Sequence, residues 1–91
     1  MSKRFIAYAA PMSWGPWATI QSYGGAIAFK ITYIAIGDTM VMGKVRYYRG
    51  KDKHVEEEFK DEVVIRTAVW ANVEVCFRGL PIGSTVEGEI E

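Results

Sequence analysis

The stretch from Glu62 to Ile90 constrains the fold more than any other part of the chain. From Val69 to Phe77 the small and apolar residues occupy every second position, and the alternation resumes from Val86 to Ile90. Apolar residues at every second position are typical of a β-strand with one buried face and one face exposed to solvent. The segment between them, from Gly79 to Ser84, is rich in turn residues. The sequence therefore predicts a hairpin against which the rest of the chain packs. The buried residues of its first strand are predicted to be Val73, Val75 and Phe77.

The length and composition are those of one globular domain. The chain has 91 residues, of which 49% are hydrophobic and 24% are charged, a balance that is typical of folded proteins. Eleven basic residues offset eleven acidic residues. A zero net charge argues against a general binder of polyanions, which usually carries a basic excess. We expect a single β domain over residues 1–91.

The sequence predicts neither a membrane span nor a disulfide. Its apolar runs are all shorter than the roughly 18–20 residues that a helix needs to cross a bilayer. The single cysteine, Cys76, cannot form an internal disulfide, so there is no sign of an oxidising compartment. We therefore expect a cytoplasmic protein without membrane contact.

Six or seven short segments have the composition of strands and are separated by turn signals. They include residues 4–10, 18–23 and 41–49, and a longer segment from Gly25 to Ile36 that is apolar on nearly both faces. Many short strands with regularly spaced turns are typical of a sandwich or a small barrel. The sequence predicts an all-β fold, a small antiparallel β-sandwich of about seven strands, with a small β-barrel as the alternative.

Residues 54–66 are compatible with two structures. Val55, Phe59 and Val63 are spaced by four, which favours one face of a helix. A helix here would make the fold α+β. The β-rich neighbours and the hairpin described next favour a strand, which we predict.

The polar turn at residues 50–53 predicts a hairpin between the strands on either side of it. The register that we predict places Arg46 opposite Glu57 and Tyr47 opposite Glu56. An opposite-charge pair across two strands contributes about 0.2–1 kcal/mol. The pairing would also partly neutralise the basic side chains of this hairpin.

Two tryptophans flank a Gly-Pro turn signal in the segment MSWGPW. Exposed aromatic side chains on a loop provide a large contact area at low entropic cost, and they mark interfaces and ligand grooves. The alternative is that one of them plugs an end of the sandwich. We predict a binding site for a protein or a glycan at Trp14, Trp17 and Tyr23.

Residues 44–54 (KVRYYRGKDKH) combine five basic residues and two tyrosines with one acidic residue. Interleaved aromatic and basic side chains bind single-stranded nucleic acid by stacking and by neutralising phosphates. The acidic run that begins at Glu56 works against this function. The residues of this alternative site are Lys44, Arg46, Tyr48 and Arg49.

The two-sided apolar strand from Gly25 to Ile36 predicts self-association, because a sandwich buries only one face of each sheet. If this strand lies next to the 69–78 strand, their outward residues form one apolar patch, which a two-fold homodimer would cover. The competing explanation is a helix over residues 54–66 that covers the same face. The predicted interface residues are Ala28, Ile34, Ile36, Trp70 and Cys76.

The sequence predicts no catalytic residue, metal site or cofactor. Cys76 and His54 are the only thiol and imidazole, and Cys76 lies within a predicted strand, away from any helix N-terminus that would activate it. One cysteine and one histidine cannot form a structural zinc site without carboxylates. The sequence favours a non-catalytic recognition or assembly module that binds through the aromatic loop and an apolar sheet face. Nucleic-acid binding is the second hypothesis, and an enzyme is the third.

Overall fold

The computed structural model describes residues 3–23, 27–48, 54–67 and 71–90. These residues form strands and no helix that is long and apolar enough to cross a membrane. The strands are β1 (Lys3–Pro11), β2 (Ala18–Tyr23), β3 (Ile27–Ala35), β4 (Met40–Tyr48), β5 (His54–Phe59), β6 (Glu62–Thr67), β7 (Ala71–Leu80) and β8 (Ser84–Ile90). The all-β prediction is confirmed. The helix considered for residues 54–66 is wrong, because β5 and β6 occupy that segment.

The strands form one mixed sheet that is nearly closed into a barrel, which was the alternative to a sandwich. The strand order is β5-β4-β7-β1-β8-β3-β6, and β2 pairs with β7 beside this path. β1 and β7 are parallel, and the other pairs of described strands are antiparallel. The two end strands of this order, β5 and β6, follow each other directly in the chain. Asp61 connects them with a positive φ of 69°, a conformation that aspartate tolerates better than most residues.

The predicted hairpin of β7 and β8 is wrong, because β1 lies between them. Ala9 pairs with Phe77 of β7 on one side and with Ser84 of β8 on the other. The loop from β7 to β8 must therefore cross the end of β1. Gly83 makes this crossing, and a Cβ atom there would lie 2.7 Å from the carbonyl oxygen of Ala9. Only glycine fits such a close approach of two backbones.

The β4–β5 hairpin exists, but its predicted register is wrong by one residue. Arg46 lies opposite Glu56, and Tyr47 lies opposite Val55. A one-residue shift moves every side chain of a strand to the other face. The observed register is the one that turns the apolar side chains of β5 towards the core, and Phe59 then covers Gly43.

The core is an aromatic cluster surrounded by aliphatic side chains. Phe77 packs against Tyr33 with ring centroids 4.9 Å apart, and Tyr33 packs edge-on against Phe59 at 5.5 Å. The hydroxyl of Tyr33 donates a 2.7 Å hydrogen bond to the carbonyl of Val41. Burial raises the pKa of this phenol. The predicted inward face of β7 is confirmed, since Val73, Val75 and Phe77 are all buried.

Candidate functional site

The loop between β1 and β2, residues 12–17, folds back along β7. We call it the tryptophan loop. The backbone N–H of Met12 donates to the carbonyl of Gly79, and that of Gly15 donates to the carbonyl of Phe77, each at 2.8 Å. β2 then continues along the same strand, with Ala18 opposite Val75. Backbone hydrogen bonds thus fix the position of the tryptophan loop on the sheet.

Both tryptophans of this loop lie on the outward face of β4 and β7. The Nζ atom of Lys44 is 4.3 Å from the ring centroid of Trp14, and the Cζ atom of Arg78 is 4.7 Å from it. The Cζ atom of Arg46 is 4.1 Å from the ring of Trp17. These distances are those of cation–π contacts. We call these five residues the aromatic–basic face.

Arg46 is the most firmly held cation of the aromatic–basic face. Its Nε and one of its terminal nitrogens donate to the two carboxylate oxygens of Glu74, at 2.9 and 3.2 Å. This two-point hydrogen bond raises the pKa of Arg46. It also fixes the plane of the guanidinium group, which in turn orients the ring of Trp17.

The other two cations have looser ionic partners. A terminal nitrogen of Arg78 lies 4.0 Å from a carboxylate oxygen of Glu58, and Lys44 is the cross-strand neighbour of Glu58. The Nε atom of Arg78 is buried and has no hydrogen-bond partner among the described residues. Arg78 is therefore held less firmly than Arg46, whose guanidinium donates two hydrogen bonds to Glu74.

The aromatic–basic face has as many neighbouring acidic side chains as it has basic ones. Its three cations, Lys44, Arg46 and Arg78, lie beside three carboxylates on the same outward positions of β5 and β7. The carboxylates belong to Glu56, Glu58 and Glu74. The surface is thus locally neutral, although residues 44–54 carry five basic residues and one acidic residue.

Cys76 lies under this face and is only 1% exposed. It is the cross-strand partner of Lys44 and precedes Arg78 by two residues on β7. Trp14 stacks on both of these neighbours, so the tryptophan loop covers the strand at this point. The thiol is on the outward side of β7, as predicted, but the loop covers it, so it is not part of an exposed apolar patch. Burial raises its pKa to about 11, so at neutral pH it is not the thiolate that nucleophilic catalysis requires.

The buried thiol predicts a loss of stability at alkaline pH. Below the pKa of about 8.5 of an unfolded-state thiol, both states keep the proton. As the pH rises from there towards 11, the unfolded state loses a proton that the folded state retains, so the free energy of unfolding falls. We expect Cys76 to account for a loss of about 1–2 kcal/mol between pH 8 and pH 10.

Urea unfolding under reducing conditions at the two pH values measures this loss. Cys76→Ala is the control, because it lacks the titrating group whatever its own stability. Wild type should lose more stability than the variant over the same interval. Equal losses would mean that the thiol is not shielded in the folded state.

The remaining predicted binding residues are only partly described. The backbone of Tyr23 pairs with Ala71 at the end of β2, and the backbone of Tyr48 pairs with His54. The side chains of both tyrosines lie outside the described part of the structure. Arg49 and Trp70 also lie outside the described residues.

The residues predicted for self-association do not form one patch with β7. Ala28, Ile34 and Ile36 are exposed as predicted. However, β8 and β1 lie between β3 and β7, so the two strands are not neighbours. The exposed residues of β3 instead lie across β8 from Ile6 and Tyr8 of β1. The sequence analysis did not identify Ile6 and Tyr8. The signal that could have identified them is that β1 has apolar residues on both of its faces.

Neither the known protein families nor the curated proteins and solved structures include a match to this chain. Its function is therefore inferred from the residues and the geometry of the surface described above.

Proposed function

We propose that the chain is a non-catalytic recognition module that binds a protein partner through the aromatic–basic face. The supporting observation is that two separate sequence segments, the tryptophan loop and β4, meet on one surface. Tryptophan and arginine are the residues most enriched at the energetic centres of protein interfaces. Here the partly exposed side chains of Trp14, Trp17, Arg46 and Arg78 lie together.

The rigidity of the face supports the same function. Arg46 is held by Glu74, and the loop is held by backbone hydrogen bonds to β7. Binding to a preorganised surface avoids the cost of ordering long side chains, which is about 0.5–1.5 kcal/mol for each one immobilised. The side chain of Arg78 is 32% exposed, and its terminal nitrogens can donate hydrogen bonds to a carbonyl or carboxylate of the partner.

Single-stranded nucleic-acid binding is the second candidate function. It is favoured by the aromatic rings that lie beside Lys44 and Arg46. It is disfavoured by the three carboxylates on the same face, because phosphate binding depends on excess positive charge. Each tryptophan ring also already stacks on a cationic side chain, which occupies a ring surface that a base or a sugar would use.

Replacing Trp17 with alanine is expected to weaken binding to the protein partner at least tenfold. The change removes the ring that stacks on Arg46 and the contact area that the ring provides. Partners captured with the full chain would be purified and titrated one at a time against wild type and variant by calorimetry. Arg66→Ala is the matched control, because Arg66 is exposed on β6, away from this face. Its affinity should stay within about twofold of wild type.

Salt and oligonucleotides separate the two candidate functions. Affinity for a protein partner through this neutral face should change little between 50 and 500 mM salt. Oligonucleotides of 20 nucleotides should not bind measurably at 150 mM salt. Oligonucleotide binding that is lost as salt rises, and is lost with Trp17→Ala, would replace the proposal with the nucleic-acid function.

A further inference from the structure

Most of the exposed large apolar side chains of the described residues lie on the outer face of β1 and β3 and on the loops at one end of these strands. Eight large hydrophobic residues among them are between 52% and 72% exposed. The seven that lie there are Ile6, Tyr8, Met12, Ile34, Ile36, Met40 and Ile82, which we call the apolar end. The eighth, Val64, lies on β6, opposite Lys30 and apart from this group.

Short contacts between strands and loops make the apolar end one continuous surface. Ile6 and Ile34 line an open groove of about 460 Å³, and Ile34 and Met40 line a second groove of about 250 Å³. The hydroxyl of Thr39, next to Met40, donates a 3.0 Å hydrogen bond to the carbonyl of Ile82. The loops that follow β3 and β7 are therefore in direct contact.

The β1 residues join this surface from the other side. The hydroxyl of Tyr8 is 2.8 Å from the position that a Cβ atom on Gly83 would take, directly after Ile82. Met12 hydrogen-bonds through its backbone to Gly79, three residues before Ile82. The surface thus runs from the outer face of β1, β8 and β3 around to the loops at their ends.

The size of the apolar end matches one half of a protein interface. Seven large side chains that are more than half exposed present on the order of 800 Å², which is the area that each partner contributes to a standard interface. A monomer rarely leaves a contiguous apolar patch above a few hundred Å² in water. Burying it would also fill the two grooves.

The charged residues within and around the apolar end carry both signs, and Glu87 lies directly between Ile6 and Ile34. Arg4, Glu87 and Glu89 line the larger groove, and Lys60 and Asp61 line the smaller one. A surface with charges of both signs can be self-complementary, because a cation of one copy can face an anion of the other. An anionic lipid surface would instead select for basic residues alone. The zero net charge of the chain adds no long-range repulsion between copies.

We propose that two copies of this chain associate through the apolar end. A two-fold axis sets the same patch of each copy against itself and closes the assembly at a dimer. The interface uses residues other than those of the aromatic–basic face, so the dimer would display two copies of that face. The proposal goes beyond the recognition function and does not depend on it.

Sedimentation velocity of the full chain at 1–100 μM tests the dimer. Wild type is expected to form a dimer within this range. Ile36→Lys and Ile82→Lys are expected to weaken association at least tenfold, because each places a charge in the buried patch. Val64→Lys is the matched control, since Val64 is 58% exposed and Ile82 is 56% exposed. It should dimerise as wild type does, and circular dichroism and thermal melting should confirm that all three variants fold.

Three results would overturn the proposal. One is a wild type that remains monomeric at 100 μM. Another is a Val64→Lys variant that dissociates as readily as the two patch variants. The third is a monomer that instead cosediments with phosphatidylcholine–phosphatidylglycerol vesicles and loses this binding with Ile82→Lys, which would assign the apolar end to a lipid surface. None of these results bears on the partner of the aromatic–basic face.

Discussion

Replacing Phe77 with alanine is expected to lower the free energy of unfolding by about 3–5 kcal/mol. Phe77 is fully buried in β7. Its ring packs against those of Phe5, Tyr33 and Phe59, with centroids 6.2, 4.9 and 6.5 Å away. Alanine would remove the one ring that all three others share, and it would leave a cavity at the centre of the core. Domains of this size have total stabilities near 5–15 kcal/mol, so the loss is a large share of the total.

Urea unfolding followed by circular dichroism measures this loss of stability. Val64→Ala is the control, because it also shortens an apolar strand residue but at an exposed position. Its stability should stay within about 0.5 kcal/mol of wild type. A Phe77→Ala variant that melts within a degree or two of wild type would mean that the aromatic cluster does not hold the sheet together.

The inward and outward faces of the strands could be predicted from the sequence because the backbone itself imposes the period of two. The inward residues of β7 are buried, and so are Val86 and Ile90 of β8. On β3, Phe29 is buried and Ile34 is exposed, as the alternation predicts. The alternation of apolar and polar residues indicates which face of a strand is buried, whichever strands lie beside it.

The neighbours of each strand could not be predicted in the same way. β1 lies between β7 and β8 although it is far from both in sequence, and no local pattern encodes a parallel pairing over that distance. The predicted β4–β5 register was wrong for a related reason. Both registers place a glutamate opposite Arg46, Glu57 in the predicted one and Glu56 in the observed one, so charge pairing does not distinguish them. The observed register also places Val55 beside the buried Tyr47, where it packs against the core.

The candidate site was predicted in two separate parts. Composition identified Trp14 and Trp17 as one site and the basic residues of β4 as another, and the fold brings them together. Arg78 and Glu74 were missed because they alternate with buried residues on β7 and have no distinctive sequence context. Their roles depend on β4 lying beside β7, which sequence spacing does not reveal.

Gly88 allows Phe5 to pack against the sheet. Gly88 lies between Phe5 of β1 and Tyr33 of β3 in the paired strands. The three nearest atoms to a Cβ on Gly88 would all belong to the Phe5 ring, which would have to move. That ring stacks on Phe77, so its displacement would disturb the aromatic cluster. A side chain at position 88 would therefore disturb the packing at the centre of the core.

Replacing Gly88 with alanine is therefore expected to destabilise the protein by about 1–3 kcal/mol, as overpacking of a core does. At an unobstructed strand position the same change would stabilise by about 0.5–1 kcal/mol, so the sign of the effect identifies the clash. Phe5→Leu shortens the side chain that blocks Gly88, and in that background Gly88→Ala should cost at least about 1 kcal/mol less. Urea unfolding of wild type, both single variants and the double variant gives this coupling energy. If alanine at position 88 stabilises the protein, or costs as much beside leucine as beside phenylalanine, the Phe5 ring does not occupy the space over Gly88.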